Sequence, residues 1–212
     1  MSAWEFLKEL TNPESIINYG GTALLFFVVF AETGLLLGFF LPGDSLLFTA
    51  GLLCGTGIFH TSIDMLLLGL CISGITGNVA GYWFGKKIGG RLFMKNDSLI
   101  FKKKYVTMTS DFYKRHGGKT LILGRFLPII RTFAPILAGV IKIDFKKFML
   151  YNIVGCVAWV ASLTLIGYFL GKEYPQVKDY LEYIILFLIV ITSIPVVITY
   201  RKEQESSKSY KQ

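Results

Sequence analysis

Gly38-Phe39-Phe40-Leu41-Pro42 recurs as Gly124-Arg125-Phe126-Leu127-Pro128, displaced by 86 residues. A second stretch recurs at the same displacement, Gly81-Tyr82-Trp83-Phe84-Gly85-Lys86 returning as Gly167-Tyr168-Phe169-Leu170-Gly171-Lys172. Two independent matches at one offset mark an internal repeat, even in a chain rich in apolar residues. Proline lacks the backbone N–H and its ring clashes with the preceding turn, so Pro42 and Pro128 break helices. Each half therefore reads as a broken helical hairpin followed by a spanning helix.

The runs around these motifs place the chain in a membrane. The 212 residues are 53% hydrophobic and 17% charged, against about 25% charged in a typical soluble domain. Residues 20–41, 65–85, 148–170 and 180–200 are long apolar runs, and each approaches the roughly 20 residues that cross about 30 Å of hydrocarbon. No single soluble core accounts for all four. Residues 1–19 hold Glu5, Glu9 and Glu14 against Lys8, so they lack the basic start of a cleavable signal peptide and no processing is expected. The odd number of cysteines (Cys54, Cys71, Cys156), without CxxC spacing, reads as small hydrophobic filler.

The net charge of +8 is distributed by loop and not as a basic groove with stacking aromatics, which sets nucleic acid aside. Residues 86–116 carry nine positive side chains against Asp97 and Asp111, and the positive-inside rule makes this loop cytoplasmic. Residues 65–85 then cross from outside to inside. Residues 20–58 enter and leave by the outer face as a re-entrant hairpin, because the N-terminal segment is net negative. Residues 117–141 lie between the basic loop and Lys142, Lys146 and Lys147, so they re-enter from the cytoplasm. Residues 148–170 cross outward and 180–200 return to a basic tail. A rival drawing makes 20–41 an ordinary span from a cytoplasmic N-terminus, which leaves 44–58 hard to place.

The expected fold is thus an all-α integral membrane protein, an inverted repeat of re-entrant helical hairpin plus transmembrane helix with an extra C-terminal transmembrane helix. Its parts are an N-terminal interfacial segment 1–19, repeat 1 at 20–85, the basic loop 86–116, repeat 2 at 117–171, the C-terminal helix 180–200 and a cytoplasmic tail 201–212, with an external N-terminus. Inverted repeats whose broken helices meet at the midplane are the architecture of secondary transporters.

Four ionisable residues lie inside the apolar hairpins away from their mouths: Glu32, Asp44, Arg125 and Arg131. Charges at that depth are costly, so they should face a protein interior, pair with one another and mark a pathway. The bland alternative is that Glu32 or Arg131 snorkels to a nearby mouth. The breaks at Pro42, Gly43, Pro128 and Pro135 free backbone groups that membranes tolerate only around a cavity. Helix N-termini after Pro42 and Pro128 would reinforce Arg125 and Arg131 as a receptor for a phosphate or carboxylate. Arginine suits that task because its planar fork binds oxyanions bidentately and stays charged. Glu32 and Asp44 can change protonation, and an anion that displaces a carboxylate from an arginine would favour proton uptake.

Other features carry less. Gly43-Asp44-Ser45-Leu46 spells a hydrolase motif, but neither His60 nor His116 stands in a catalytic context. HExxH, Walker and CxxC patterns are missing, so no enzyme activity, metal or cofactor is expected. His116, Gly117 and Gly118 form a possible gate or pH sensor at the second mouth, or simply an interfacial turn. Lys102-Lys103-Lys104 reads as an anionic-lipid contact. Asn78, among Gly74, Gly77 and Gly81, reads as close helix packing with a polar bond before a ligand role.

Glu32-Thr33-Gly34, Phe40-Leu41-Pro42-Gly43-Asp44-Ser45-Leu46-Leu47-Phe48, Phe112-Tyr113-x-x-His116-Gly117-Gly118-Lys119 and Arg125-Phe126-x-Pro128-x-x-Arg131-Thr132-Phe133-Ala134-Pro135 together resemble the bacterial DedA family. The resemblance covers about residues 20–200. It implies the SNARE-associated or VTT fold, with two opposed re-entrant hairpins, in the bacterial cytoplasmic membrane. It further implies undecaprenyl phosphate recycling, phosphatidylethanolamine movement in some members, and maintenance of the proton motive force. The family's acidic and arginine pairs match Glu32, Asp44, Arg125 and Arg131. The expected function is translocation of an anionic lipid phosphate with proton coupling, its partners being membrane lipids and protons. A proton-coupled antiporter of small ions or solutes and a non-transporting envelope scaffold are the alternatives.

Overall fold

The computed structural model describes residues 13–35, 43–59, 61–92, 122, 125, 128–181, 183, 184, 186 and 187. Regular structure among them is entirely helical. The elements are α1 (Pro13–Gly34), α2 (Gly43–Gly55), α3 (Ile63–Leu92), α4 (Pro128–Val140), α5 (Phe145–Glu173) and a 3-10 turn (Pro175–Tyr180). Helical backbone resumes at 181, where the C-terminal helix is expected, and most of 180–200 lies outside the described residues.

Two helices are long and apolar enough to cross a membrane: Ile63–Lys87, with mean hydropathy 1.6, and Phe145–Glu173, with 2.1. Only 28% and 33% of their apolar windows are buried inside the chain, which distinguishes them from the core helices of a soluble protein. Met65, Leu68 and Ile72 of α3, and Leu150, Val157, Ile166 and Phe169 of α5, point outward. So much outward apolar surface is what a lipid solvent allows and water does not. The protein is a membrane protein.

The helices before them are shorter. Gly21–Gly34 and Gly43–Gly55 fall in the range of 10 to 17 residues, spanning roughly 20 Å at about 1.5 Å per residue, less than the roughly 30 Å hydrocarbon core. Helical backbone begins at Pro13, inside the segment assigned to the interface, and bends at Gly21 (φ 56°, ψ −154°). Those angles cost glycine little and other residues much. α2 is buried on almost every side, from Ser45 through Leu53, and its apolar residues accordingly surround it without forming a stripe.

Packing crosses the two halves. α2, from the first half, lies along α5 of the second; α4, from the second, lies along α3 of the first. Contact is backbone-close at both seams. A Cβ on Gly51 would overlap the Thr164 carbonyl and one on Gly167 the Phe48 carbonyl, while one on Gly139 would overlap the Tyr82 carbonyl and one on Gly85 the Ile136 carbonyl. Small residues that let helix backbones approach are how packing contacts accumulate where lipid removes the hydrophobic drive. The repeated motifs lie at both seams: Gly139 meets Tyr82 and Lys86, and Gly55 meets Tyr168 and Lys172; the tyrosines and the lysines are each 86 residues apart, the glycines that meet them 84.

The turn from α4 to α5 has a definite cap. Ile143 N–H donates to the Ala138 carbonyl at 3.0 Å and Lys142 N–H to that of Gly139 at 3.1 Å, with Lys142 left-handed at φ 53°. This is the Schellman arrangement. Asp144 then caps α5, accepting from Lys147 N–H at 3.0 Å. Tyr82 of α3 pins the turn by donating to the Ile143 carbonyl at 2.7 Å, and its ring stacks on Phe148 at 4.7 Å.

Candidate functional site

Glu32, near the end of α1, and Asp44, in the first turn of α2, meet Arg131 in the first turn of α4. Arg131 Nη2 donates to Glu32 Oε1, and Nη1 to Asp44 Oδ1 at 2.5 Å. The same Asp44 oxygen accepts from Trp159 Nε1 of α5 at 2.7 Å. The Trp159 ring lies 4.4 Å from the guanidinium carbon, so it holds the cation by its face and the anion by its N–H. Glu32 is 0% exposed and Arg131 3%; Asp44, at 14%, is the least enclosed of the three.

The local backbone builds this triad. The Glu32 carboxylate presses on the first residue of α2, where a Cβ at Gly43 would overlap both oxygens. Glycine is required there for close approach, and the orphan N–H groups of the helix start favour an anion beside it. Thr132 Oγ donates to the Glu32 backbone carbonyl at 3.5 Å, tying the end of α1 to α4.

Arg125 is placed differently. It is 2% exposed, and among the described residues the ion pairs within 4.0 Å belong to Arg131 and not to Arg125. Its Nη2 donates to Asn152 Oδ1 of α5 at 2.6 Å, and Nη1 has no hydrogen-bond partner. The Asn78 side chain of α3 lies 2.8 Å from the same Asn152 oxygen. In the opposite amide orientation the Asn78 oxygen accepts from Arg125 Nη2, and its NH2 group donates to the Thr33 carbonyl at 3.0 Å in place of Asn152. A cavity of about 10 Å³ is lined by both arginines, with Asn78, Asn152, Ala134, Pro135 and Phe148. That is the room of roughly one water.

Three of the four charged residues singled out by the sequence therefore form one triad, with Arg125 lining a cavity that Arg131 shares. Pro128 opens α4, three residues before Arg131. Pro135 departs from expectation, for it lies inside α4 without interrupting the helix. It forfeits one backbone hydrogen bond, while close packing of the surrounding turns on Gly81 and Gly85 of α3 holds the helix together. Pro42 and the gate residues His116, Gly117 and Gly118 lie outside the described residues.

Trp159 and Asn152 were not legible as site residues, although a signal existed. An indole N–H or a carboxamide inside an apolar run must find a partner. Asn78 does make the expected interhelical polar bond, and it also lines the cavity.

Two lipid-facing spans around a buried, hydrogen-bonded ion network define a membrane protein whose polar groups are turned inward. The VTT domain matches residues 41–169. Protein DedA of Escherichia coli K12 is 43% identical over 187 residues, covering 87% of this chain and 85% of its own. An uncharacterized membrane protein of Mycobacterium tuberculosis is 41% identical over 186 residues, covering 86% and 81%. Inner membrane protein YqjA of Escherichia coli K12 is 34% identical over 149 residues, covering 70% and 67%. No solved structure matches. The chain belongs to the DedA family of VTT-domain membrane proteins.

Proposed function

We propose that the chain translocates an anionic lipid phosphate, of the undecaprenyl phosphate kind, across the bacterial cytoplasmic membrane, with proton coupling and without enzymatic chemistry. The observation that carries the proposal is the uneven division of charge in the site. With both carboxyls ionised, the triad of Glu32, Asp44 and Arg131 holds two negative charges against one positive, while Arg125 keeps its positive charge beside neutral amides. An oxyanion entering the cavity neutralises Arg125 and faces an excess negative charge on the triad. A proton taken up by Glu32 or Asp44 removes that excess and loosens Arg131, which then supplies a second fork to the phosphate. Asp44, being the least enclosed, is the acid nearer to an exchange path.

The fold supports the same reading. On this reading the Gly21–Gly34 part of α1 and α2, both too short to span, belong to a hairpin that re-enters the outer face, α4 belongs to its counterpart from the cytoplasm, and α3 and α5 span. Each returning hairpin limb packs on the other half's spanning helix, so the halves can exchange conformations about a shared centre in an inverted repeat. A cavity of about 10 Å³ is smaller than a phosphate, which makes this conformation an occluded one on that reading. The same small cavity favours the second reading, proton-coupled movement of a small ion, since a small ion needs no lateral opening to lipid.

Proteoliposomes separate the two. Labelled undecaprenyl phosphate, labelled phosphatidylethanolamine and a proton-flux dye are followed in parallel under an imposed pH gradient. The lipid reading expects undecaprenyl phosphate to move with a matching proton flux. Proton flux driven by inorganic ions with both lipids stationary would replace it with the antiporter.

A further inference from the structure

We infer that Asn152, with Asn78 beside it, is a positioning residue that holds Arg125 in a cradle without carboxylates so that the guanidinium keeps its charge for a phosphate-class oxyanion. The inference rests on Arg125 as the anion receptor and extends it to the residues that make it one. A guanidinium buried at membrane depth ordinarily pairs with a carboxylate, as Arg131 does twice over. Arg125 meets a carboxamide and the Cys156 thiol instead. The amide oxygen meets the directional need of one N–H group and leaves the net charge untouched, and Nη1 is left for another acceptor.

The cradle is itself held in place. Asn152 Nδ2 donates to the Ile75 carbonyl of α3 at 3.2 Å, which fixes which face of the amide Arg125 sees. Gly155 makes room for the arginine stem, since a Cβ there would stand 3.2 Å from Arg125 Cδ. Arg125 both lines the cavity and carries the unpartnered Nη1. An Asn–Asn contact between spanning helices is also a common packing device. That role needs neither a guanidinium against the pair nor an orphaned N–H group.

Aspartate at 152 discriminates, because it keeps the shape of asparagine and adds the counter-charge. The full-length protein in detergent is unfolded thermally while decyl phosphate or inorganic phosphate is titrated, the rise in midpoint reporting binding. Wild type should be stabilised by decyl phosphate. Asn152→Asp should remain folded with about tenfold or greater loss of apparent affinity, from a preformed Arg125–Asp ion pair, whereas neutral Asn152→Ser, which loses the positioning bond without adding a counter-charge, should lose affinity only about threefold to fivefold. Undiminished binding by Asn152→Asp, or equal loss in Asn152→Ser, would overturn the cradle. Should Asn152→Asp not fold, Asn78→Asp approaches the same guanidinium from α3 and faces the same two outcomes. A wild type that binds neither phosphate overturns the receptor reading itself and the cradle with it. Stabilisation by inorganic phosphate as well assigns recognition to the head group alone, and stabilisation by decyl phosphate only adds the lipid tail.

Discussion

Arg131 and Arg125 lie six residues apart, are equally buried, and have opposite surroundings. Arg131 is gripped by two carboxylates and the Trp159 ring; Arg125 meets a carboxamide and the Cys156 thiol and, among the described residues, no carboxylate. Each leaves one N–H without a partner, Nε of Arg131 and Nη1 of Arg125, so the difference between them is counter-charge. A buried cation paired with carboxylates contributes to cohesion, and removing it strands those partners. A buried cation without a counter-charge is a cost to the fold, retained for what it can bind. The first region ties helices α1, α2, α4 and α5 together; the second is held ready for an anion.

The largest expected effect follows from stranding charge. Arg131→Ala leaves Glu32 and Asp44 unpaired and should cost about 3–5 kcal/mol of stability, whereas Arg125→Ala should cost at least about 2 kcal/mol less while abolishing transport. Thermal unfolding of the purified variants, with transport assayed in parallel, checks both halves of the contrast. Equal destabilisation by the two would erase the distinction.

Next in size is the separation of coupling from movement. Asp44→Asn keeps the acceptor for Arg131 and Trp159 but fixes the charge of a protonated acid. Lipid should still equilibrate down its own gradient, with no response to an imposed pH gradient. An undiminished response, in protein shown to be folded and inserted, transfers coupling to Glu32 or points to uncoupled scrambling.

Trp159→Phe keeps a ring beneath Arg131 and deletes the N–H bond to Asp44, so it should cost about 1.5–3 kcal/mol, as for hydrogen bonds to charged groups. The bond of Arg125 to Asn152 stays in place, so decyl phosphate affinity should change far less than in Asn152→Asp. The smallest effect lies away from both regions. Lys142→Gly relieves the left-handed cap after α4 and should stabilise by about 0.5–1 kcal/mol in thermal unfolding.

Much of the site was legible because charge is rare in the apolar runs: Glu32, Asp44, Arg125 and Arg131 stand out where almost nothing else ionises. Their division into a triad and a separate arginine was not. It depends on Trp159 and Asn152, ordinary letters in a spanning helix, brought to the site by the packing of α5 on α2 and α3. Membrane class was readable from run length and composition, and α3 and α5 contain the runs 65–85 and 148–170. Helix limits were less readable. α3 continues to Leu92, into the segment read as the basic loop, and α5 begins at Phe145. α1 starts at Pro13, where proline suits a helix's first turn, and α4 continues through Pro135, which packs with Ile136 on α3.

The central claim, that anion binding at Arg125 is linked to protonation of the Arg131 triad, is tested most directly by counting protons. Calorimetric titration of decyl phosphate into the protein, repeated in buffers of different ionisation enthalpy, gives the protons taken up per phosphate bound. The doubly neutralised Glu32→Gln, Asp44→Asn protein serves as reference for the ligand's own titration. The account predicts that wild type takes up about one proton more than this reference, with binding that strengthens as pH falls. Equal proton counts in the two proteins, with phosphate bound by both, would contradict it.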